Sequence, residues 1–185
     1  MLKNLLTAFR SSAARRAARA DVDTAQWTPA LLKRLEWRRF EELCAAYFEA
    51  LGFRTDAVLV HCRPWDAYGV GIKPVHALHE AMAAAKIGEG VLVTSGKFTQ
   101  EARAFAAKEK ISLIDGEDLL ARIHALLPEK ALALLELATR GDFLTPTCPA
   151  CAIKMVKRKS TARGRPYWGC RNYPGCKNTF FVAST

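Results

Sequence analysis

Four cysteines near the carboxyl end constrain this chain more than any other feature. Cys148 and Cys151 enclose two residues, eighteen residues follow, and Cys170 and Cys176 then enclose five. Two close pairs on separate turns can place four thiolates tetrahedrally around one Zn²⁺ ion. Two disulfides, or free cysteines in a core, are the alternatives, and we expect no disulfides because the sequence shows no secretory signal. The spacing predicts a structural zinc ion.

The module around these cysteines is too small to bury a useful core. We therefore expect the metal to supply much of its folding free energy. Cys44 and Cys62 lie outside the four-cysteine pattern, on apolar segments of the chain. We predict that both of them are structural.

The charge of the chain indicates an anionic partner. The net charge is +10, which favours nucleic acid but says nothing about the fold. Residues 143–185 contain no Asp or Glu and eight cations: Lys154, Lys157, Arg158, Lys159, Arg163, Arg165, Arg171 and Lys177. A solvated basic face is the simpler interpretation of a charge run, but the complete absence of acids favours a polyanion. No run approaches the ~18 apolar residues of a membrane span, so we expect no membrane partner.

Short apolar strands alternate with helices before the cysteine module. We predict strands at 58–62, 91–94 and 111–114. The first predicted helix begins at Thr28-Pro29 and is closed by Gly52, with an apolar stripe of Trp37, Phe40, Leu43, Cys44, Tyr47 and Leu51. Further helices are predicted to begin at Pro74, Thr99, Asp115-Gly116 and Pro128. This alternation implies crossover connections and a mostly parallel sheet flanked by helices, so we expect an α/β domain.

These patterns divide the chain into four parts. We expect a basic Ala/Arg-rich arm at 1–27, the α/β domain at 28–140, a linker at 141–147 and the four-cysteine module at 148–185. The first twenty residues resemble a transit peptide in composition, but we favour a basic helical arm for them.

The carboxyl-terminal module resembles a known zinc finger. It has a CPxC start, the Met155-Val156 pair, a basic stretch at 157–165, and the run YWGC at 167–170 followed by YPGC at 173–176. In these features it resembles the four-cysteine zinc finger at the carboxyl end of bacterial type IA topoisomerases. The resemblance implies a zinc-ribbon-like domain that binds DNA, often single-stranded.

Cations and aromatic rings in the module suit this contact. Cations can neutralise phosphates and release counterions, and Trp168 and Tyr173 can stack on unpaired bases, at roughly 1–3 kcal/mol per base. Alternatively, Trp168 fills the small core. The candidate DNA contacts are Arg63, Lys73, Lys157, Arg158, Lys159, Arg163, Arg165, Trp168, Arg171 and Tyr173. RNA is an alternative partner, because a basic module of this kind does not distinguish the two.

The α/β segment resembles a second family. Phe40-Glu41, the block VTSGKFTQEARAFA at 93–106 and LIDGEDL at 113–119 are the most specific features. With them, residues 35–124 resemble the Mrr-like restriction endonuclease domain. The resemblance implies a restriction-endonuclease-like α/β fold, a role in restriction-modification, and a DNA substrate, either double- or single-stranded, whose phosphodiesters are hydrolysed with Mg²⁺.

The same resemblance implies where a nuclease site would lie. The family places a Glu on the first helix, an Asp on a glycine-rich hairpin, and Gln or Glu, one residue, then Lys at the end of the next strand. Glu41 stands at the helix position, and His61 and Arg63 stand at the strand positions. Only eight residues separate Gly52 from His61, too few for the hairpin, and Asp56 is their one acid.

These replacements leave the family's chemistry incomplete. Mg²⁺ prefers oxygen ligands, imidazole suits transition metals, and the high pKa of an arginine forbids proton transfer. We therefore predict a DNA-binding protein with a degenerate nuclease site, which needs Mg²⁺ only if the site is active. An active metal-dependent endonuclease and an RNA-binding zinc protein are the alternatives.

Two further hypotheses concern metal and cellular context. His61, His76 and His79 could together form a second metal site, although His76 and His79 also suit a solvated helix face. We expect a cytoplasmic, nucleoid-associated protein that forms a homo-oligomer or joins a partner nuclease.

Overall fold

Helices cover both faces of a β-sheet in the larger part of the molecule. The computed structural model describes residues 23–53, 58–63, 69–159 and 166–181, with the backbone alone for 58–63. Its helices are α1 (Pro29–Arg34), α2 (Trp37–Ala50), α3 (Ile72–Ala85), α4 (Gln100–Lys108), α5 (Gly116–His124) and α6 (Pro128–Thr139). Its strands are β1 (Val58–Arg63), β2 (Glu89–Thr94), β3 (Ile111–Ile114), β4 (Val156–Lys159), β5 (Pro166–Gly169) and β6 (Thr179–Phe181). No helix in these ranges has the length and apolar character needed to cross a membrane.

The first three strands form a parallel sheet in the order β1-β2-β3. Arg63 pairs with Thr94, and Val93 pairs with Ile114. Because successive residues of a strand point to opposite faces, Val93 packs against α1, α2, α5 and α6, whereas Leu92 packs against α3 and α4. The predicted α/β fold, with a parallel sheet flanked by helices, is confirmed.

Side-chain caps begin three of the predicted helices. Thr28, Thr99 and Asp115 each accept a hydrogen bond from a backbone N–H of the first turn of α1, α4 and α5, respectively. Pro29 occupies the start of α1, where its missing N–H has no helical acceptor in any case. The predicted starts of these helices are confirmed because capping depends on local sequence.

Two helix boundaries differ from the prediction. The first helix is broken, since Leu35 and Glu36 have extended backbone conformations and Glu36 caps a new helix, α2. Leu51 follows α2 and is 45% exposed, so it does not extend the buried stripe. Pro74 lies inside the first turn of α3, which begins at Ile72, because the N–H groups of a first turn have no helical acceptors.

The carboxyl-terminal strands form a separate antiparallel sheet in the order β4-β5-β6. Cys148, Met155 and Cys170 are buried together, and Trp168 and Phe180 pack against them. This apolar cluster is much smaller than the clusters of the α/β part, so cysteines occupy the centre of the module where a larger domain would place aliphatic side chains.

The segment between the two parts is held by contacts with the α/β part. Phe143 is 1% exposed and belongs to the apolar cluster of α1, α2, α5 and α6. Thr147 is 3% exposed, and both its N–H and its hydroxyl donate to the Glu36 carboxylate. Residues 141–147, predicted as a linker, therefore include side chains that are fixed against the α/β part.

Gly116 lies where the loop after β2 meets the start of α5. A Cβ at Gly116 would stand 2.3 Å from the carbonyl oxygen of Ser95, whereas one at Gly88 meets nothing within 4 Å. We expect Gly116→Ala to lower the free energy of unfolding by about 1–3 kcal/mol, measured by urea denaturation. The matched control, Gly88→Ala, should change it by less than about 0.5 kcal/mol. Equal stabilities for the two variants would contradict the close backbone approach.

Candidate metal centre and nucleic-acid interface

The four predicted cysteines converge at one point. The Sγ atoms of Cys148, Cys151, Cys170 and Cys176 all lie within 4.8 Å of one another, and those of Cys148 and Cys176 are 3.7 Å apart. Sulfurs at about 2.3 Å from a tetrahedral zinc ion are about 3.8 Å from each other. All four are free thiols, so the disulfide alternative is not realised, and the donor set fits one structural zinc ion.

Backbone turns hold the two cysteine pairs. In the first turn, the Cys148 N–H donates to the Ile153 carbonyl at 2.8 Å. In the second, the Cys176 N–H donates to the Asn172 carbonyl at 2.9 Å, and the Asn172 N–H lies 3.4 Å from the Cys170 sulfur. Each turn thereby directs its sulfurs to the same side of the chain, which is the arrangement that a metal with four ligands requires.

Asn178 belongs to this centre, although sequence reasoning missed it. Its side-chain Nδ2 lies 3.4 Å from the Cys176 sulfur and 3.7 Å from the Cys148 sulfur, and its carbonyl accepts from the Cys170 N–H at 3.1 Å. Donors of this kind orient ligands and stabilise their negative charge. The sequence signal for this role is an asparagine two residues after Cys176, the last cysteine of the set.

The pKa values of two of the thiols, Cys148 and Cys170, are shifted in opposite directions by their surroundings. Desolvation opposes ionisation of Cys148, but backbone N–H groups of Cys151 and Ala150 lower its pKa to about 6. For Cys170, the Asn172 N–H lowers the pKa, yet desolvation and the neighbouring thiols raise it to about 12. A bound divalent cation removes this conflict because its charge offsets the thiolates.

The predicted cations of the module differ in their accessibility. Lys157, Lys159 and Arg171 are exposed. Arg158 is less accessible, being half-buried. Its guanidinium donates to the Cys170 carbonyl at 3.4 Å and lies 5.5 Å from the centre of the Tyr173 ring. Arg158 thus supports the second cysteine turn as well as adding positive charge. Arg163 and Arg165 lie outside the described residues.

The two aromatic side chains predicted to contact DNA, Trp168 and Tyr173, also differ in their exposure. Trp168 packs against the cysteine cluster, which favours its role in the small core. Tyr173 is 61% exposed and Phe181 is 91% exposed. Phe181 is the register partner of Tyr167, whose other partner is Arg158, so these three side chains share one face of the sheet. Sequence reasoning missed Phe181, because the alternation of side chains along a strand does not show which face of the sheet is exposed to solvent.

Two of the predicted nuclease positions, His61 and Arg63, lie on strand β1. Among the described residues, β1 pairs with β2 alone, with His61 opposite Leu92 and Arg63 opposite Thr94. The side chains of His61 and Arg63 are outside the description, as is all of Asp56. Lys73, another candidate DNA contact, is exposed near the start of α3.

Glu41 is exposed on α2. Its pKa is raised above the ordinary value, first by desolvation and then by the charge of Glu36, with Arg38 opposing. In the part of the chain that the structure describes, the cysteine cluster is the one group of three or more potential metal ligands. The structure therefore does not bring Glu41 together with further described ligands.

His76 and His79 both pack against an aromatic ring. Their ring centres lie 4.0 Å and 5.9 Å from that of Phe105, and His79 Nε2 lies 3.2 Å from a Glu109 carboxylate oxygen. Phe105 thus contacts both histidine rings, and Glu109 is paired with His79. The two histidines belong to no group of ligands among the described residues, so the second metal site stays a hypothesis that involves His61.

Glu36 is a third side chain, after Asn178 and Phe181, that sequence reasoning missed. Its carboxylate, 3% exposed, contacts Lys154 Nζ at 2.9 Å, and it accepts from the Thr147 N–H at 3.1 Å and the Thr147 hydroxyl at 3.0 Å. Thr147 and Lys154 flank the first cysteine turn. Glu36 therefore links the metal centre to the start of α2.

Comparison with known protein families matches two segments. Residues 53–123 match the Mrr model of restriction endonucleases, and residues 145–185 match the topoisomerase DNA-binding C4 zinc finger. Glu41 precedes the first matched range, whereas His61 and Arg63 lie inside it. No curated protein and no solved structure gives a significant match.

We expect the purified chain to hold one zinc ion. Cys170→Ser should lose both the ion and the fold of the module, because thiolate–metal bonds supply its folding free energy; metal analysis and limited proteolysis measure the two losses. Zinc should also dissociate as the pH falls, since protonated thiols do not bind it. The matched control, Cys44→Ser on α2, should keep its zinc. Full zinc occupancy in Cys170→Ser would contradict the assignment.

Proposed function

We propose that this chain, in which one segment matches the Mrr model of restriction endonucleases and another matches the topoisomerase C4 zinc finger, binds DNA with both segments and does not cleave it. The observation that carries the proposal is the sequence at the end of β1, where His61 and Arg63 stand in place of the family's Gln or Glu and Lys. A cytoplasmic, nucleoid-associated location fits this function, as does assembly with a second copy or with a partner nuclease.

The lost hairpin supports a degenerate site. Gly52 and His61 are separated by eight residues, and within the described chain β1 has a pairing partner on one side only. A hairpin preceding β1 would supply the metal-binding aspartate that the family uses. Asp56 is the one acid in this interval, and it would have to replace that aspartate from a different backbone position.

The chemistry of the retained groups supports the same proposal. Glu41 is one carboxylate, and a hard Mg²⁺ ion in a nuclease site is held by several oxygen ligands. His61 offers nitrogen instead, and Arg63 keeps its proton while binding phosphate in a fork. This set suits contact with the DNA backbone better than activation of water, and the Mg²⁺ required for cleavage then has no proper site.

The finger supplies the phosphate contacts. It has no acid from residue 143 onward, and Lys157, Lys159 and Arg171 are exposed on it. Tyr173 offers an exposed ring for stacking on a base. The description of the matched family as DNA-binding favours DNA over RNA. None of these contacts reads base edges, so we expect weak sequence specificity.

We expect no cleavage of plasmid or single-stranded DNA by the zinc-loaded protein with Mg²⁺ or Mn²⁺, because the set of oxygen ligands is incomplete. Agarose gels that resolve supercoiled, nicked and linear forms measure this. The control is Glu41→Ala prepared identically, which should match the native protein. Nicking by the native protein that disappears in Glu41→Ala would establish the alternative, an active endonuclease.

Lys157 and Lys159 should each neutralise about one phosphate. Replacing both with Gln should make the plot of log binding constant for duplex DNA against log salt concentration less steep by about 2. Fluorescence anisotropy at several salt concentrations measures this slope. Replacing Lys33 and Lys108, exposed cations of the α/β part, provides a control of equal charge and should leave the slope nearly unchanged. A slope that responds equally to both pairs would argue against the finger as the main phosphate contact.

A further inference from the structure

We propose that Glu36 is a positioning residue that fixes the zinc finger against the α/β domain, so that one DNA molecule meets both domains as a single body. The proposal rests on the DNA-binding function proposed above and adds a geometry to it. Two modules on a free tether would instead sample many relative orientations.

The Glu36 carboxylate is almost completely enclosed and accepts four hydrogen bonds. One oxygen accepts from the Thr147 hydroxyl at 3.0 Å and from Lys154 Nζ at 2.9 Å. The other accepts from the Thr147 N–H at 3.1 Å and from the Arg38 N–H at 3.2 Å. Separation would break the three hydrogen bonds from Thr147 and Lys154, and hydrogen bonds to a charged group are stronger than those between neutral groups.

The partners of Glu36 form the base of the first cysteine turn. Thr147 and Lys154 are bridge partners on either side of Cys148 and Cys151. One carboxylate therefore contacts both arms of the turn that presents two of the four metal ligands. A rotation of the finger would have to break contacts on both arms at once.

Backbone and indole contacts surround this carboxylate. Trp37 Nε1 donates to the Thr147 carbonyl at 2.6 Å, and the Glu36 N–H donates to the Phe143 carbonyl at 2.9 Å. Lys154 Nζ also donates to the Thr145 carbonyl at 2.9 Å. The first two contacts join the start of α2 to Thr147 and Phe143, and the third joins the finger to Thr145. The hydrogen-bonded network is therefore continuous across the boundary.

The fixed orientation of the finger relative to the α/β domain favours DNA binding by both. The exposed cations of the finger then lie at a set separation from strand β1, which carries the proposed DNA contacts His61 and Arg63. No orientational freedom is lost when the second domain binds. Helix α2, which Glu36 caps, also carries Glu41. The orientation of the finger is thereby tied to the helix that the family uses in its nuclease site.

The test uses the full zinc-loaded chain without DNA. ¹⁵N relaxation should give one rotational correlation time for both domains in the native protein, and a shorter time for the finger than for the α/β domain in Glu36→Gln. Glu42→Gln is the matched control: Glu42 is an exposed acid on the same helix whose ion pairs are with Arg38 and Arg39, and its loss should leave one common time. Different times in the native protein, or a common time in Glu36→Gln, would overturn the proposal.

A second variant protects the test against misfolding. Lys154→Met removes the cationic partner, which is 31% exposed, and should also uncouple the domains while metal analysis shows zinc retained. Both variants should bind a duplex that spans both domains about tenfold more weakly than the native chain, because the second contact loses its fixed geometry. Uncoupled domains with unchanged affinity would refute the single-body contact with DNA.

Failure of the proposed function gives a different result. A native chain that binds no DNA refutes DNA binding, whereas the correlation times still decide whether Glu36 fixes the finger.

Discussion

A buried carboxylate holds the two halves of this molecule together. Glu36 is nearly inaccessible to solvent, and a charge in such a place is tolerated only when hydrogen-bonded and paired. Its partners come from the segment before the finger and from the finger itself, more than a hundred residues further along the chain. The break between α1 and α2, the segment at 141–147 with its buried Phe143 and Thr147, and the first cysteine turn all meet at this side chain. This side chain therefore holds the zinc finger against the α/β domain.

The sequence allowed much of the fold to be predicted because its signals are local. Thr28, Thr99 and Asp115 cap helices through neighbouring N–H groups, and apolar runs of strand length gave β2 and β3. The spacing of the four cysteines alone predicted that they bind zinc, since tetrahedral thiolate sites require close pairs. Glu36 carries no such signal, because an acid at a helix start is common and its burial depends on residues far along the chain.

The nucleic-acid interface shows the same limit. Composition identified the basic module, but it could not sort the module's side chains by face. Trp168 packs on the cysteines, whereas Phe181 is exposed, and this division follows from strand register. Tyr173 is exposed in the turn between β5 and β6. Arg158 was predicted as a phosphate contact, and its proposed role now includes support of the Cys170 turn. The β1 strand was located from its pattern, while the meaning of His61 and Arg63 depends on the family with which the chain is compared.

Retention of the fold and replacement of the catalytic set together define the proposed function. The most direct test incubates a trace of labelled DNA with excess zinc-loaded protein and Mn²⁺, isolates the shifted complex, and examines the recovered strands under denaturing conditions. A DNA-binding protein with a degenerate site predicts complete binding and full-length strands even after long incubation. Shortened strands recovered from the complex, and full-length strands from Glu41→Ala, would contradict it.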